Sequence, residues 1–150
     1  MERRINIFDT ALNALKPLYA TGGYLAGSPL GRNLVELLFL RVSQINGCGF
    51  CIDMHYKKLR ATGESEQRLY GLITWREASY YNDREKAALA FAEAVTDCNV
   101  PDKIYNEAKN QFSDVEVIDL TIATTTINTW NRINNAFARP AGNYDVEEPD

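Results

Sequence analysis

The sequence predicts an all-α fold of six to seven helices, with a Cys-x-x-Cys pair at the N-terminus of a central helix. Apolar residues recur at three- and four-residue steps along most of the chain, the spacing of a helical stripe. Helix start and stop residues punctuate these stripes at regular intervals. No segment shows a run of β-type alternation followed by a crossover helix, so a βαβ unit is not expected.

The elements follow in order. Ile5, Phe8, Leu12, Leu15 and Leu18/Tyr19 form the first stripe, and Pro17 inside it predicts a kink or a restart. TGGYLAGSPLG is rich in breakers and reads as a loop. Ser28-Pro29 reads as an N-cap followed by a first-turn proline, opening a helix through NLVELLFLRVSQI. Asn46-Gly47 closes that helix with a left-handed cap. The next helix starts around Cys48 and runs to Gly63, and Ser65 opens a shorter one toward Ile73. Trp75 to Tyr81 carries no clear pattern. Asn82 or Asp83 caps NDREKAALAFAEAVT, whose early acidic residues suit the helix dipole. Val100-Pro101-Asp102 begins another helix through Ala108, and Ser113-Asp114 begins the last, through Phe137. This last segment is rich in Val, Ile and Thr and would tolerate strands on propensity alone. Its apolar positions Val117, Leu120, Ile127, Trp130, Ile133 and Phe137 fit helical steps better than strict alternation.

The 150 residues suit one domain, with 139–150 left as a mobile or subunit-swapped tail. Hydrophobic residues make up 45% and charged residues 24%, enough to bury a core. The net charge of −4, without a dense Lys/Arg run, argues against nucleic acid as a partner. No apolar stretch approaches the ~20 residues of a membrane span, and MERRINIFDT lacks the apolar run of a secretory leader. A cytoplasmic protein is the expectation. Its three cysteines, Cys48, Cys51 and Cys98, do not make a disulfide framework.

Chemistry concentrates in NGCGFCIDMHYKKL. At ~100° per residue, Cys48, Cys51 and His55, the single histidine, lie within roughly 60° of one another around a helix. Cys48 falls in the first turn, where free N–H groups and the positive dipole end favour a thiolate. Its position also makes it the more exposed of the two sulfurs. Glu36 lies in the preceding helix. If the two helices fold back at Gly47, Glu36 and His55 stand at similar depths, roughly 16 and 12 Å from the turn. Glu36 sits in the apolar run LVELLFL, where a carboxylate is costly to bury without a partner, and His55 is the natural one. The same levelling puts Ser43 opposite Cys51. The implied chain is Glu36 to His55 to Cys51: the carboxylate orients the imidazole, and the imidazole takes the thiol proton.

A zinc site is the competing reading. Cys48, Cys51 and His55 supply three ligands, with Cys98 or Glu36 as a fourth. A c-type haem motif would need histidine directly after the second cysteine, and Ile52 is there. No cofactor and no metal are expected. Cys98 reads as a structural residue at a helix end. Trp75, Trp130 and Tyr80-Tyr81 read as core or interface anchors, or as the lining of a substrate pocket.

Glu36, eleven intervening residues, Cys48-x-x-Cys51, three residues and His55 together resemble the signature of the AhpD-like alkylhydroperoxidases, within the carboxymuconolactone decarboxylase superfamily. The resemblance covers at least Pro29 to Thr96. It implies an all-α fold, a homo-oligomer (often a trimer or hexamer), and peroxide reduction by the cysteine pair with help from Glu36 and His55. On that reading Cys51, nearer His55, attacks the peroxide and Cys48 resolves the product; the reverse assignment also stands. It further implies an external dithiol reductant, which for AhpD itself is a lipoyl-bearing protein, with a peroxiredoxin as partner. AhpD proteins carry Ser-His between the cysteines, where this chain has Gly49-Phe50, so it looks like the shorter AhpD-like branch. The superfamily's decarboxylases lack the cysteine pair, so decarboxylation is not expected. General thiol–disulfide exchange, or a non-catalytic metal-binding module, are the alternatives to peroxidase activity.

Overall fold

A computed structural model describes residues 4–146. Among these, eight α-helices occur and no strand: α1 (Ile7–Thr10), α2 (Leu12–Ala26), α3 (Arg32–Asn46), α4 (Gly49–Ala61), α5 (Glu66–Tyr70), α6 (Asp83–Thr96), α7 (Asp102–Gln111) and α8 (Asp114–Ala136). A 3-10 helix, Gly71–Glu77, follows α5. The excess over the expected six to seven comes from the first stripe, which splits at Ala11 into the four-residue α1 and the longer α2.

The caps act through specific atoms. Asn82 and Ser113 each accept the third backbone N–H of their helix, while Glu85 and Glu116 reach back to the cap's own N–H. Ser65 accepts from Arg68 N–H to open α5. At Gly47 the backbone is left-handed (φ 63°) and its N–H closes on the carbonyls of Ser43 and Gln44.

The sequence expectation for the N-terminal region needs two corrections. The break falls at Ala11, not Pro17, and α2 runs through Pro17 and Gly22-Gly23 to Ala26. Proline removes one intrahelical bond there, but the face carrying Leu15 and Leu25 is buried, and Tyr19 stacks on Trp130 of α8 with ring centroids 5.2 Å apart. Tertiary packing outweighs local propensity. Ser28 does not cap α3, whose N-cap is Gly31 at φ 82°. Its hydroxyl accepts Leu30 N–H at 3.2 Å and donates to the buried carboxylate of Asp119 at 2.5 Å, beside Tyr24 Oη at 2.6 Å. A buried carboxylate offers a hydroxyl a stronger bond than a helix terminus does.

α3 is the central helix and packs on α4, α6 and α8. Leu38, Leu40 and Val42 of α3, Leu59 of α4, Leu89 and Ala92 of α6, and Leu120 and Ile127 of α8 form a core that is at most 2% exposed. The β-branched α8 stays helical because its hydroxyls find partners inside the helix. Thr121, Thr124, Thr126 and Thr129 each donate to the carbonyl four residues earlier. The Trp75–Tyr81 stretch finishes the 3-10 helix and then extends at Ala78. Trp75 and Tyr81 lie in the core, and Trp75 Nε1 donates to Glu93 at 2.8 Å. Glu93 also pairs with Arg41 and Arg76, which ties α3 and the 3-10 helix to α6.

Gly47 sets the angle between α3 and α4. Substituting Gly47→Ala puts a Cβ into the left-handed region and should destabilise the fold by roughly 1–2 kcal/mol. A lower urea midpoint with an unchanged m-value would register this.

Candidate functional site

The α3–Gly47–α4 hairpin brings together Glu36 and His55, as the helix depths require. His55 Nδ1 lies 2.6 Å from Glu36 Oε2, with the two residues 3% and 8% exposed. Lys58 Nζ stands 3.8 Å from the other carboxylate oxygen. Burial pushes the Glu36 carboxyl up. The His55 hydrogen bond and the charges of His55, Lys58 and Arg32 more than offset this, leaving its pKa below the ordinary carboxylate value. In the neutral tautomer that donates Nδ1–H to Glu36, the lone pair lies on Nε2. That atom is buried and has no hydrogen-bond partner among the described residues. The Phe39 ring, 5.1 Å away, holds the imidazole plane.

Cys48 is the N-cap of α4 rather than a first-turn residue, and its Sγ accepts Cys51 N–H at 3.3 Å. The two cysteines are joined as a disulfide. Both sulfurs therefore sit at the positive end of a 13-residue helix. The expected difference in exposure does not hold: Cys48 is 1% and Cys51 0% exposed. Phe50, Met54 and Tyr144 pack over the pair.

Tyr144 belongs to the segment after α8. Residues 139–144 meet α4 of the same chain, while 147–150 of the acidic end are outside the described residues. Asp53 accepts Gly142 N–H at 3.1 Å, and Lys57 Nζ donates to the carbonyls of Gly142 and Tyr144 at 3.3 and 2.9 Å. The Tyr144 ring meets Phe50 edge-on at 6.3 Å. Arg139 lays its guanidinium over Phe50 at 3.6 Å and over Phe8 at 4.2 Å.

Sequence reasoning missed one neighbour of the cysteine pair. Asn134 of α8 donates Nδ2 to Cys51 Sγ at 3.4 Å, and its Oδ1 is buried without a partner among the described residues. Ser43 is buried too, but its partner is Asn131, whose Nδ2 donates to the Ser43 hydroxyl at 3.0 Å. Asn46 in turn donates to Asn128 and Asn131. The available signal was the spacing of Asn128, Asn131 and Asn134: three poor helix formers at three-residue steps on one face of a helix.

The remaining candidates lie elsewhere. Cys98 is exposed just beyond α6, with a left-handed backbone. Trp75 and the Tyr80-Tyr81 pair pack in or against the main core, and Trp130 lines a groove between α2 and α8. No group of three or more His, Cys, Asp or Glu side chains is arranged for a metal ion among the described residues. Among them, too, no helix is long and apolar enough to cross a membrane.

Comparison with known proteins places the sequence and the fold. YdfG of Bacillus subtilis, an uncharacterized protein, is 38% identical over 144 residues, covering 94% of this chain and 98% of its own. The crystal structure of ATU0492 from Agrobacterium tumefaciens superposes with a TM-score of 0.90 at 38% identity, over 97% of this chain and 100% of that one. ATU0492 is a protein of unknown function described as a candidate antioxidant defence protein AhpD. A shorter match, 53% identical over 34 residues, joins 23% of this chain to 19% of the alkyl hydroperoxide reductase AhpD of Bradyrhizobium diazoefficiens. The carboxymuconolactone decarboxylase family model matches residues 12–94, a span that holds α2, the α3–α4 hairpin and the whole Glu36, Cys48, Cys51, His55 set, so the chain belongs to the carboxymuconolactone decarboxylase family.

Proposed function

We propose that the protein is a thiol-dependent peroxidase of the alkyl hydroperoxide reductase type, with Cys48 and Cys51 as its dithiol and Glu36 and His55 as its proton relay. The observation that carries this reading is the buried Nε2 of His55, which has no hydrogen-bond partner among the described residues. Its ring is fixed by Glu36 at 2.6 Å, and it stands one helical turn beyond Cys51 on the same helix. In the reduced protein that nitrogen takes the Cys51 thiol proton. Asn134 Nδ2 and the N-terminal dipole of α4 stabilise the resulting thiolate. The thiolate attacks the O–O bond. The sulfur becomes a sulfenic acid, and the leaving alkoxide takes the proton from His55 and departs as an alcohol. The Cys48 thiol then attacks the sulfenic sulfur, releasing water and closing the disulfide. An external dithiol, lipoyl-type or other, reduces it by exchange and leaves as its own disulfide.

Burial favours a small substrate. Both sulfurs lie under Phe50 and Tyr144, which suits a peroxide better than the disulfide of a folded protein. The protein would work as a homo-oligomer, trimer or hexamer. Val115, Ile118, Ile122, Thr125 and Thr129 form a three-four spaced β-branched stripe on α8, with Val115 and Ile118 more than half exposed.

Four substitutions test this reading. Cys51→Ser should abolish peroxide consumption in a steady-state assay across dithiol donors. Cys48→Ser should still consume one equivalent and yield a trappable sulfenic acid without turnover; the reverse pattern would make Cys48 the attacking thiol. Glu36→Gln should lower kcat/KM by about a hundredfold, the scale of a general-base contribution, and move the pH profile of thiol alkylation upward. An unchanged profile would sink the relay. Because the Glu36 pKa is lowered on folding, the unfolded chain binds its proton first as pH falls. The stability it contributes is complete above the ordinary value of 4.5 and is lost as pH falls through the lower folded value. Urea unfolding of Glu36→Gln should therefore show a shallower acid limb than wild type. Finally, Ile118→Glu should reduce the solution mass measured by light scattering if α8 forms the subunit contact.

A further inference from the structure

A cavity of about 650 Å³ lies beside the dithiol, between the Arg4–Phe8 segment, the C-terminal end of α8 and the segment that follows it. This is the size range of small-molecule sites. Two features set its chemistry. Phe8, Phe50 and Phe137 give it an aromatic wall, and Arg4 and Arg139 are its charged lining residues, with no aspartate or glutamate among them. Arg4 is committed: it donates to the Ala136 carbonyl at 2.7 Å, at the end of α8. Arg139 is not. Its guanidinium is stacked between Phe8 and Phe50, which fixes its plane and leaves its N–H edge open. It has no carboxylate partner among the described residues, and it stays exposed to solvent. Burial of part of the side chain pulls its pKa down, as expected for a cation without a counter-charge. Asn134 connects this cavity to the sulfur. It lines the wall, its Nδ2 touches Cys51 Sγ, and its buried Oδ1 has no donor among the described residues.

We propose that this cavity binds an organic anion and that the substrate class of the peroxidase is a carboxylate-bearing organic hydroperoxide. The carboxylate lies on Arg139, the hydrocarbon against Phe50 and Phe137, and the hydroperoxide group toward Asn134, whose Oδ1 accepts its O–H. The substrate assignment rests on the peroxidase reading; the anion site does not.

Calorimetry on the full chain separates the two. Octanoate should bind wild type at least about tenfold more tightly than octan-1-ol, the gain of a charge-assisted hydrogen bond. Arg139→Gln should erase that preference, and Arg139→Lys should keep part of it. Equal binding of octanoate and octanol by wild type, no octanoate binding, or an octanoate affinity unchanged in Arg139→Gln each overturns the anion site. The wild-type comparison stands even if the variant does not fold. In the kinetic arm, a fatty-acid hydroperoxide should show a higher kcat/KM than its methyl ester, and Arg139→Gln should bring the two together. Consumption of neither hydroperoxide, with octanoate still bound through Arg139, would fell the peroxidase reading and keep the site. Equal consumption of acid and ester by wild type would overturn the substrate class.

Discussion

A carboxylate buried among leucines must be paired, and Glu36 meets that demand through His55. Moving such a charge from water costs several kcal/mol unless a hydrogen-bonded partner compensates. Here the partner comes from the next helix, with the Glu36 oxygen 2.6 Å from the imidazole and a lysine beside it. The pair therefore fixes the register of α4 against α3. Once that register is fixed, so is the azimuth of everything else on α4. Cys51 lies one turn before His55 and is buried with it, and Cys48 becomes the residue that caps the helix. The left-handed Gly47 is what lets the chain reverse over so few residues.

The rest of the fold closes around the start of α4. From one side comes α8, whose asparagines bond Ser43, Asn46 and Cys51 in succession. From the other comes the segment after α8, anchored by Asp53 and Lys57 of α4 itself. These contacts are polar where they grip and aromatic where they cover. The cysteines end up dry, in the low-dielectric setting where a helix dipole and a single amide donor act most strongly on a thiolate.

Local features were legible in the sequence, and long-range ones were not. Gly47, the helix that follows it, and the facing depths of Glu36 and His55 depend on spacing within one hairpin, and helix geometry alone is enough to derive them. The capping boxes at Asn82 and Ser113 are equally local, and so are α6 and α8. Pro17 misled because the helix that contains it is held by α8, about a hundred residues later in sequence. Ser28 misled for the same reason, since Asp119 outbids the helix terminus for its hydroxyl. The relative exposure of Cys48 depended on Tyr144 and Phe50 folding over it, which no pattern near residue 48 announces. Asn134 contacts a sulfur 83 residues away; in sequence it is only one more asparagine in a helix rich in poor helix formers.

Two buried polar atoms lack partners among the described residues, His55 Nε2 and Asn134 Oδ1. An unsatisfied buried group costs about 1–3 kcal/mol, and native structures keep few of them. Both of these belong to side chains whose other polar atom has a partner: Nδ1 a short bond to Glu36, Nδ2 a weaker one to the Cys51 sulfur. Neither side chain can turn to satisfy its free atom without breaking the bond that positions it. One free atom belongs to α4, one turn beyond Cys51, and the other to the α8 side chain whose Nδ2 meets Cys51 Sγ. A core assembled only for stability would fill both positions with carbon. Retaining them is consistent with groups whose partners arrive during a reaction, a thiol proton for one and a substrate O–H for the other.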